Sequence, residues 1–315
     1  MSSQFDSPSA VANGFSMPVS LAPDGIVAVV VTYNPDVVTI RAQTSSLRDQ
    51  LVRIVWVDNG SSFALDGLAG ELGVQLLKMG ANEGVAAAQN AGMKLAHEQG
   101  ASFVMLMDHD SIPGPGMVQR LHAVMASHPE VAAVGPYYTD PRSGEPSHPF
   151  VWIDGLRLQR LARPLDGAIS SEVDHLIASG CLIRTTAWRD IGPMLTPMFI
   201  DFVDVEWCLR ARSKGWHLHG VWDAHMSHTI GHAVVRRMGK NFRIHSPTRH
   251  YFHVRNGVFL YRQNWIAVNW RLVSFWRMIL KTGFYFVFSH SRLSYIRSTL
   301  RGIVDGVQFN PVSRM

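Results

Sequence analysis

Apolar residues in the first third of the chain come in short unbroken runs, and each run stops at polar, turn-forming residues. Ile26-Val27-Ala28-Val29-Val30-Val31 gives way to Thr32-Tyr33-Asn34-Pro35, and Ile54-Val55-Trp56-Val57 to Asp58-Asn59-Gly60-Ser61-Ser62. A weaker run, Val74 to Lys78, is followed by Gly80-Ala81-Asn82-Glu83-Gly84; Phe103-Val104-Met105-Leu106-Met107 runs into Asp108-His109-Asp110-Ser111. Such runs read as buried strands. The stretches 35–51 and 85–99 read as helices between them. Strand and helix alternating at these intervals predict βαβ units, a mostly parallel sheet flanked by helices, and an α/β fold with the polar exits along one sheet edge. Further on, 203–213 reads as an amphipathic helix ending before Gly215, and Trp216 to Trp222 as another strand.

The fourth exit carries the most chemistry. Unpaired buried charge is expensive, so a buried strand ending in two carboxylates must deliver them to a cleft. In open α/β sheets that cleft lies at the carboxyl ends of the strands. Asp108 and Asp110 offer hard oxygen ligands on an extended backbone, suited to Mg²⁺ or Mn²⁺ carrying a diphosphate. A strand end capped by solvated acids has the same pattern, so the acid pair by itself does not decide.

The motifs taken together do. Val31-Thr32-Tyr33-Asn34, Val57-Asp58-Asn59-Gly60-Ser61, Asn82-x-Gly84 with Asn90-x-Gly92, and Asp108-x-Asp110 resemble glycosyltransferase family 2. Ser179-Gly180-Cys181-Leu182-Ile183, the stretch from Phe199 to Arg210 and the stretch from Arg249 to Asn256 are similar to the bacterial rhamnosyltransferases of that family, which build O-antigen and related polysaccharides. The resemblance covers about residues 25 to 310. It implies a GT-A fold and an inverting, metal-dependent transfer of a sugar, foremost L-rhamnose from dTDP-rhamnose, to a glycan hydroxyl. It also implies an acceptor linked to polyprenyl diphosphate.

The resemblance assigns roles to individual residues. Thr32, Tyr33 and Asn34 would hold base and ribose, and Asp58 would accept from a pyrimidine N3–H. Asn82, Gly84 and Asn90 would let a helix N-terminus approach the nucleotide, where the dipole favours an anion. Asp110 would be the main metal ligand and Asp108 would lie nearer the ribose. His109 stands where the subgroup carries Gln, a departure that removes no carboxylate. Among His217, His219, His225, His228 and His232, the family pattern selects His228 to complete the metal site. The family's Glu-Asp element aligns with Val203-Asp204, which makes Asp204 the base for the acceptor hydroxyl. Asp201, Glu206 and Trp207 are candidates for the acceptor pocket. Arg249 and Arg255 would hold the donor phosphate or an anionic acceptor. Each has a plainer reading: an Asx-turn acid for Asp58, turn and cap chemistry for Asn82 and Asn90, a helix-start acid for Asp204, surface charge for the arginines.

Length and charge refine this picture. The 315 residues are 47% apolar and carry a net charge of +5. From Arg236 onward there are fourteen Lys or Arg and one acid, Asp305; the residues before it hold fifteen basic and twenty-three acidic side chains. A basic tail on an acidic body points to an anionic surface met by one end, not to nucleic acid. The tail is aromatic as well. Arg271, Ser274, Arg277 and Lys281 form one helical stripe, and Trp270, Val273, Trp276 and Leu280 another, as on an interfacial helix. Packing on the catalytic body or on a second copy would leave the same pattern, so a homo-oligomer stays open. No run reaches the ~20 apolar residues a spanning helix needs. The expected organisation is a disordered lead over 1–24, a catalytic domain over 25–235 and a basic, aromatic, mainly helical extension over 236–315. The expected location is cytoplasmic, peripheral on the inner face of the cytoplasmic membrane. Cys181 and Cys208 do not imply a disulfide framework.

Three other readings compete. A UDP-sugar transferase of the same family, using galactofuranose, glucose or N-acetylglucosamine, would share every motif. A non-catalytic nucleotide- or glycan-binding protein would not need Asp110, Asp204 and His228 together. A nicotinamide oxidoreductase would need a Gly-x-Gly-x-x-Gly after the first strand, which is absent.

Overall fold

The computed structural model describes residues 25–50, 52–140, 148–228, 233–237, 240–289 and 291–310. The lead over 1–24 and His232 lie outside them. Strands β1 (Ile26–Thr32), β2 (Arg53–Asp58), β3 (Gln75–Lys78) and β4 (Phe103–Asp108) alternate with helices α1 (Val37–Arg48), α2 (Asp66–Glu71) and α3 (Val85–Glu98). Next come β5 (Ser111–Pro113), α4 (Met117–Ser127), β6 (Val131–Thr139), β7 (Val151–Asp154), β8 (Arg157–Arg160), β9 (Ser170–Glu172) and β10 (Cys181–Arg184). The chain continues with α5 (Thr185–Ile191), a 3₁₀ turn (Thr196–Met198), α6 (Val203–Ser213) and β11 (His217–His228). It closes with a hairpin of β12 (Ala233–Arg237) and β13 (Lys240–Ile244), then α7 (Pro247–Tyr261), α8 (Val268–Phe288) and α9 (Arg292–Gln308).

The central sheet runs β3-β2-β1-β4-β10-β6-β11-β5, with β9 also paired to β11. The four predicted strands are mutually parallel. β10 is antiparallel to both β4 and β6, while β11 is parallel to β6. Side chains alternate across each strand. Val27, Val29 and Val31 therefore face one apolar layer, shared with α3 and α6, while Ile26, Ala28 and Val30 face the other, shared with α1 and α4. α3 lies close because Gly92 carries no side chain: a Cβ there would overlap Val29. α1 begins two residues later than its apolar pattern suggested, because Asp36 caps it by accepting the Thr39 N–H at 2.8 Å.

The strand expected over Trp216 to Trp222 continues to His228 through a register shift between Val221 and His225. That extension brings the strand between β6 and β5. α6 spans the predicted 203–213. The C-terminal helices join the body's own core, since Phe259, Leu260, Ile266, Trp270 and Val273 belong to the same apolar layer as α3 and α6. The expected start of the extension, Arg236, lies inside β12.

Candidate active site

β4 and β11 reach the same end of the sheet, and the short β5 ties them together: His228 is the antiparallel partner of Ser111. The ligand atoms of Asp108, Asp110 and His228 all lie within 4.8 Å of one another. His228 Nδ1 stands 3.4 Å from an Asp110 carboxylate oxygen and 2.6 Å from Ser111 Oγ. The backbone N–H of Asp108 donates to Ser179 Oγ (3.1 Å), whose hydroxyl donates to Ser111 Oγ (2.7 Å). Burial pushes the Asp108 carboxyl up, against the pull of the His228 charge. For Asp110 burial is also the largest influence, upward, but the hydrogen bond and charge of His228, with the charge of His109, outweigh it and the net shift is downward. Two carboxylates and one imidazole at this spacing suit a small divalent cation with open positions for phosphate oxygens.

The nucleotide side is built differently from the expectation. Thr32 is fully buried and its hydroxyl donates to the Val57 carbonyl at 3.3 Å, so it braces β1 against β2. Asn34, at φ 49°, accepts the Ser62 N–H and hydroxyl at 2.7 and 2.8 Å and ties the two loops together. Asp58 accepts from the Ser61 N–H and hydroxyl through one oxygen, Oδ1, at 3.0 and 2.6 Å. Tyr33 is exposed beside them.

Asn82 accepts from Asn59 and from the Gly84 N–H, both at 3.1 Å, and shapes the turn. Gly84 does open space, but for protein: at φ 87° it meets the backbone and ring of Phe199, and the Val85 N–H donates to Phe199 O at 2.8 Å. Asn90 spends its whole amide on the 194–196 segment. Nδ2 donates to Met194 O (2.8 Å) and Thr196 Oγ1 (3.2 Å), and Oδ1 accepts the Met194 N–H (2.9 Å). The start of α3 is therefore docked on the chain's own loop, and Gly84 and Asn90 serve that docking.

That loop carries Asp201, one of the candidates for the acceptor pocket, and leads into Asp204. Phe199, Asp201 and Phe202 all have positive φ, between 62° and 64°, a strained backbone for residues with side chains. Asn256, fully buried on α7, holds it in shape: its amide N–H groups reach the carbonyls of Met198 (3.0 Å), Ile200 (2.9 Å) and Asp201 (2.8 Å). Arg255 donates to Pro197 O (2.7 Å) and Met198 O (3.0 Å) and lies over the Phe309 ring. It braces the loop through these two carbonyls. Arg249 bonds Asp201 through Nε at 3.1 Å and exerts its charge on Asp108.

Asp204 opens α6 immediately after this loop. Its oxygens accept the N–H groups of Val205 (2.9 Å) and Ala178 (3.1 Å), yet desolvation dominates and raises its pKa to about 6. The charges of Asp108 and Asp201 push the same way. Glu206 and Trp207 point elsewhere. Glu206 is buried in a paired contact with Arg210 (2.8 and 2.9 Å), and Trp207 is a core residue donating to Gly192 O at 3.0 Å. Two residues further on, a helical position has turned by about 200°, which separates Glu206 from the Asp204 face.

Three supporting residues went unassigned in the sequence. Gln43, fully buried on α1, donates to the carbonyls of Asp108 (2.7 Å) and Ser111 (2.6 Å) and so shapes the Asp-x-Asp turn. The signal was there: a glutamine between Ile40 and Leu47 on the apolar face of α1. Ser111 and Ser179 had no such mark.

The family model described as Glycosyl transferase family 2 matches residues 27–190. The chain is 31% identical over 284 residues to a dTDP-rhamnosyl transferase, RfbF, of Shigella flexneri, covering 90% of this chain and 95% of that one. The chain belongs to glycosyl transferase family 2. Solved structures with the same fold include TarS of S. aureus, at 15% identity and TM-score 0.58 over 90% of this chain and 48% of that chain. GalNAc-T7 with UDP, GalNAc and Mn²⁺ superposes with TM-score 0.56 at 14% identity, over 84% of this chain and 57% of that one. The chain thus spans about half the length of full TarS. These likenesses carry the GT-A fold: a nucleotide-side parallel sheet, flanking helices, and helices appended at the C-terminus.

Proposed function

We propose that the chain transfers L-rhamnose from dTDP-rhamnose to a hydroxyl of a lipid-linked bacterial glycan, inverting the anomeric carbon in one in-line displacement. The likeness to a dTDP-rhamnosyl transferase over nearly the full length of both chains carries the choice of donor. Asp110 and His228, with Asp108 beside them, would hold Mg²⁺ or Mn²⁺; the clustered oxygen and nitrogen donors fit such an ion. Bound there, the ion would offset the charge that builds on the departing diphosphate. Arg249 adds a cation on the same side. Asp58, with Oδ1 committed to Ser61, keeps Oδ2 for the base, next to Tyr33.

Asp204 is the acceptor's base in this reading. Its raised pKa makes it a better proton acceptor than an ordinary carboxylate while leaving it ionised at neutral pH. Asp201, locked to Arg249, lines the acceptor side and keeps the cation near the phosphate.

The C-terminal helices would rest on the inner face of the cytoplasmic membrane. Among the described residues no helix is long and apolar enough to cross a membrane. The surface offered differs from the expected one. Arg277 and Lys281 line a cavity against the body, and α8 turns Leu272, Phe275, Trp276 and Ile279 outward. α9 exposes Leu293, Ile296, Leu300, Ile303, Val304 and Val307. Arg292 borders that stripe on one side, Arg297 and Arg301 on the other, which suits anionic headgroups around buried apolar side chains.

A donor screen tests the reaction. dTDP-rhamnose, UDP-sugars and GDP-sugars are offered with Mn²⁺ and nucleoside diphosphate release is scored. Release from dTDP-rhamnose above all others is expected; preference for a UDP-sugar would replace the donor assignment.

A further inference from the structure

Next to the acceptor side lies a cavity of about 460 Å³ between α8, the β7–β8 hairpin and the first turn of α6. Its polar lining is Arg277, Lys281, Ser274, His175 and His253, with no aspartate or glutamate. Phe202 and Val205, the residues on either side of the Val203-Asp204 pair, form one wall. Among the described residues neither Arg277 nor Lys281 makes an ion pair or a hydrogen bond. The carboxylate whose charge most affects Lys281 is Asp201, and Arg249 already holds it at 3.1 Å.

Two cations without a counter-ion in a partly desolvated space are costly, and a guanidinium cannot shed its proton to escape the cost. Burial lowers the pKa of both groups. The histidines do not relieve it: burial, with the Arg277 and Arg212 charges, holds His175 at about 4, so it is neutral. His175 Nδ1 is buried without a hydrogen-bond partner. The missing partners are a negative charge and its hydrogen-bonding oxygens. The remaining walls are apolar, including Val151, Leu158 and Met278. Leu280 lines the cavity and is also 69% exposed, so the rim runs on to the outward apolar face of α8.

We infer that this cavity is an anion site that takes the phosphate or diphosphate head of an amphiphilic acceptor, with the hydrocarbon tail leaving past Leu280 over α8. Arg277 and Lys281 pair with the head group, and Ser274 and His175 complete its hydrogen bonds. The site deepens the transferase reading and rests on it: it would hold the anionic end of the molecule whose hydroxyl Asp204 deprotonates.

The test uses the full chain and titration calorimetry in excess chelator, so that diphosphate cannot be held by metal at Asp110. The probes are farnesyl diphosphate, inorganic diphosphate and farnesol. Farnesyl diphosphate should bind more tightly than either of the others. Arg277→Gln and Lys281→Met should each weaken it at least tenfold, and Arg277→Lys, which keeps the charge, should restore most of that. Affinity for dTDP in Mn²⁺, unchanged in all three variants, certifies the fold. Wild-type affinity in both neutral variants would overturn the site. Inorganic diphosphate binding as tightly as farnesyl diphosphate would overturn the amphiphile, and farnesol doing so would overturn the anion. Because no donor or metal is present, these outcomes are independent of the donor screen, whose failure would strike the transferase reading alone.

Discussion

His228 closes on Asp110 at 3.4 Å because the end of β11 pairs with β5, which begins immediately after the aspartate. A histidine late in the chain is thereby fixed beside the acidic turn by backbone ladder bonds as well as by its own side chain.

Turnover should therefore require a divalent cation. Asp110→Ala is expected to abolish transfer and the metal-dependent part of dTDP binding, with the thermal melt retained; His228→Ala should weaken both in the same direction. Titrating dTDP with and without Mn²⁺ reads the effect. Undiminished transfer in excess chelator would remove the metal from the mechanism.

Asp204→Asn should lower kcat by roughly 10²–10⁴ with dTDP affinity nearly unchanged. The base must be unprotonated, so wild-type kcat should fall about tenfold per unit as pH drops below about 6. The sign for stability is opposite. A folded pKa above the ordinary 3.8 means the folded state binds the extra proton, so this group's contribution is present at low pH and lost as pH rises through about 6. The Asn variant should lose less stability than wild type between pH 4 and 7. If Asp201→Asn, and not Asp204→Asn, shows the kcat loss, the base is misassigned.

Asn256→Leu tests the loop. It removes the amide donor from the carbonyls of Ile200 and Asp201, while Met198 O keeps Arg255; each buried group left unsatisfied costs about 1–3 kcal/mol. A lower Tm and a lower kcat with dTDP affinity intact are expected. A variant with wild-type kcat would mean that Phe199–Phe202 holds its conformation without the asparagine.

Flotation on vesicles tests the C-terminal helices. With anionic lipid and low salt the protein should float, and at high salt it should not. Replacing Arg292, Arg297 and Arg301 with Glu should release it, since each basic group near such a surface contributes about 1 kcal/mol. Trp276→Ser should weaken flotation at any salt. A triple variant that floats like wild type would assign this face to protein packing.

The sheet and its exits were legible because strands buried on both faces leave continuous apolar runs, from Ile26 and from Phe103 alike. So was the grouping of Asp108, Asp110 and His228, through motif order. Polar residues near the exits were not. Thr32, Gly84, Asn90 and Arg255 look like ligand contacts in sequence, and the fold spends them on its own carbonyls and backbone approaches. No local pattern distinguishes a loop tie from a nucleotide contact, since both need the same donors. The helical stripes of α8 were visible too, but not their orientation: Arg277 and Lys281 face a cavity against the body, and the apolar stripe is split, with Trp270 and Val273 in the core and Trp276 and Leu280 turned outward.

The loop that presents Asp204 leans on α7 for its shape, beyond the stretch matched by the family model. The smallest competent unit is thus longer than the nucleotide-binding sheet suggests. A fragment ending before Asn256 would retain the elements of the donor end and lose the scaffold of the proposed base, Asp204. On this reading, chimaeras that exchange C-terminal helices between relatives would exchange the placement of that carboxylate along with the proposed acceptor surface, so acceptor choice and turnover would be inherited together.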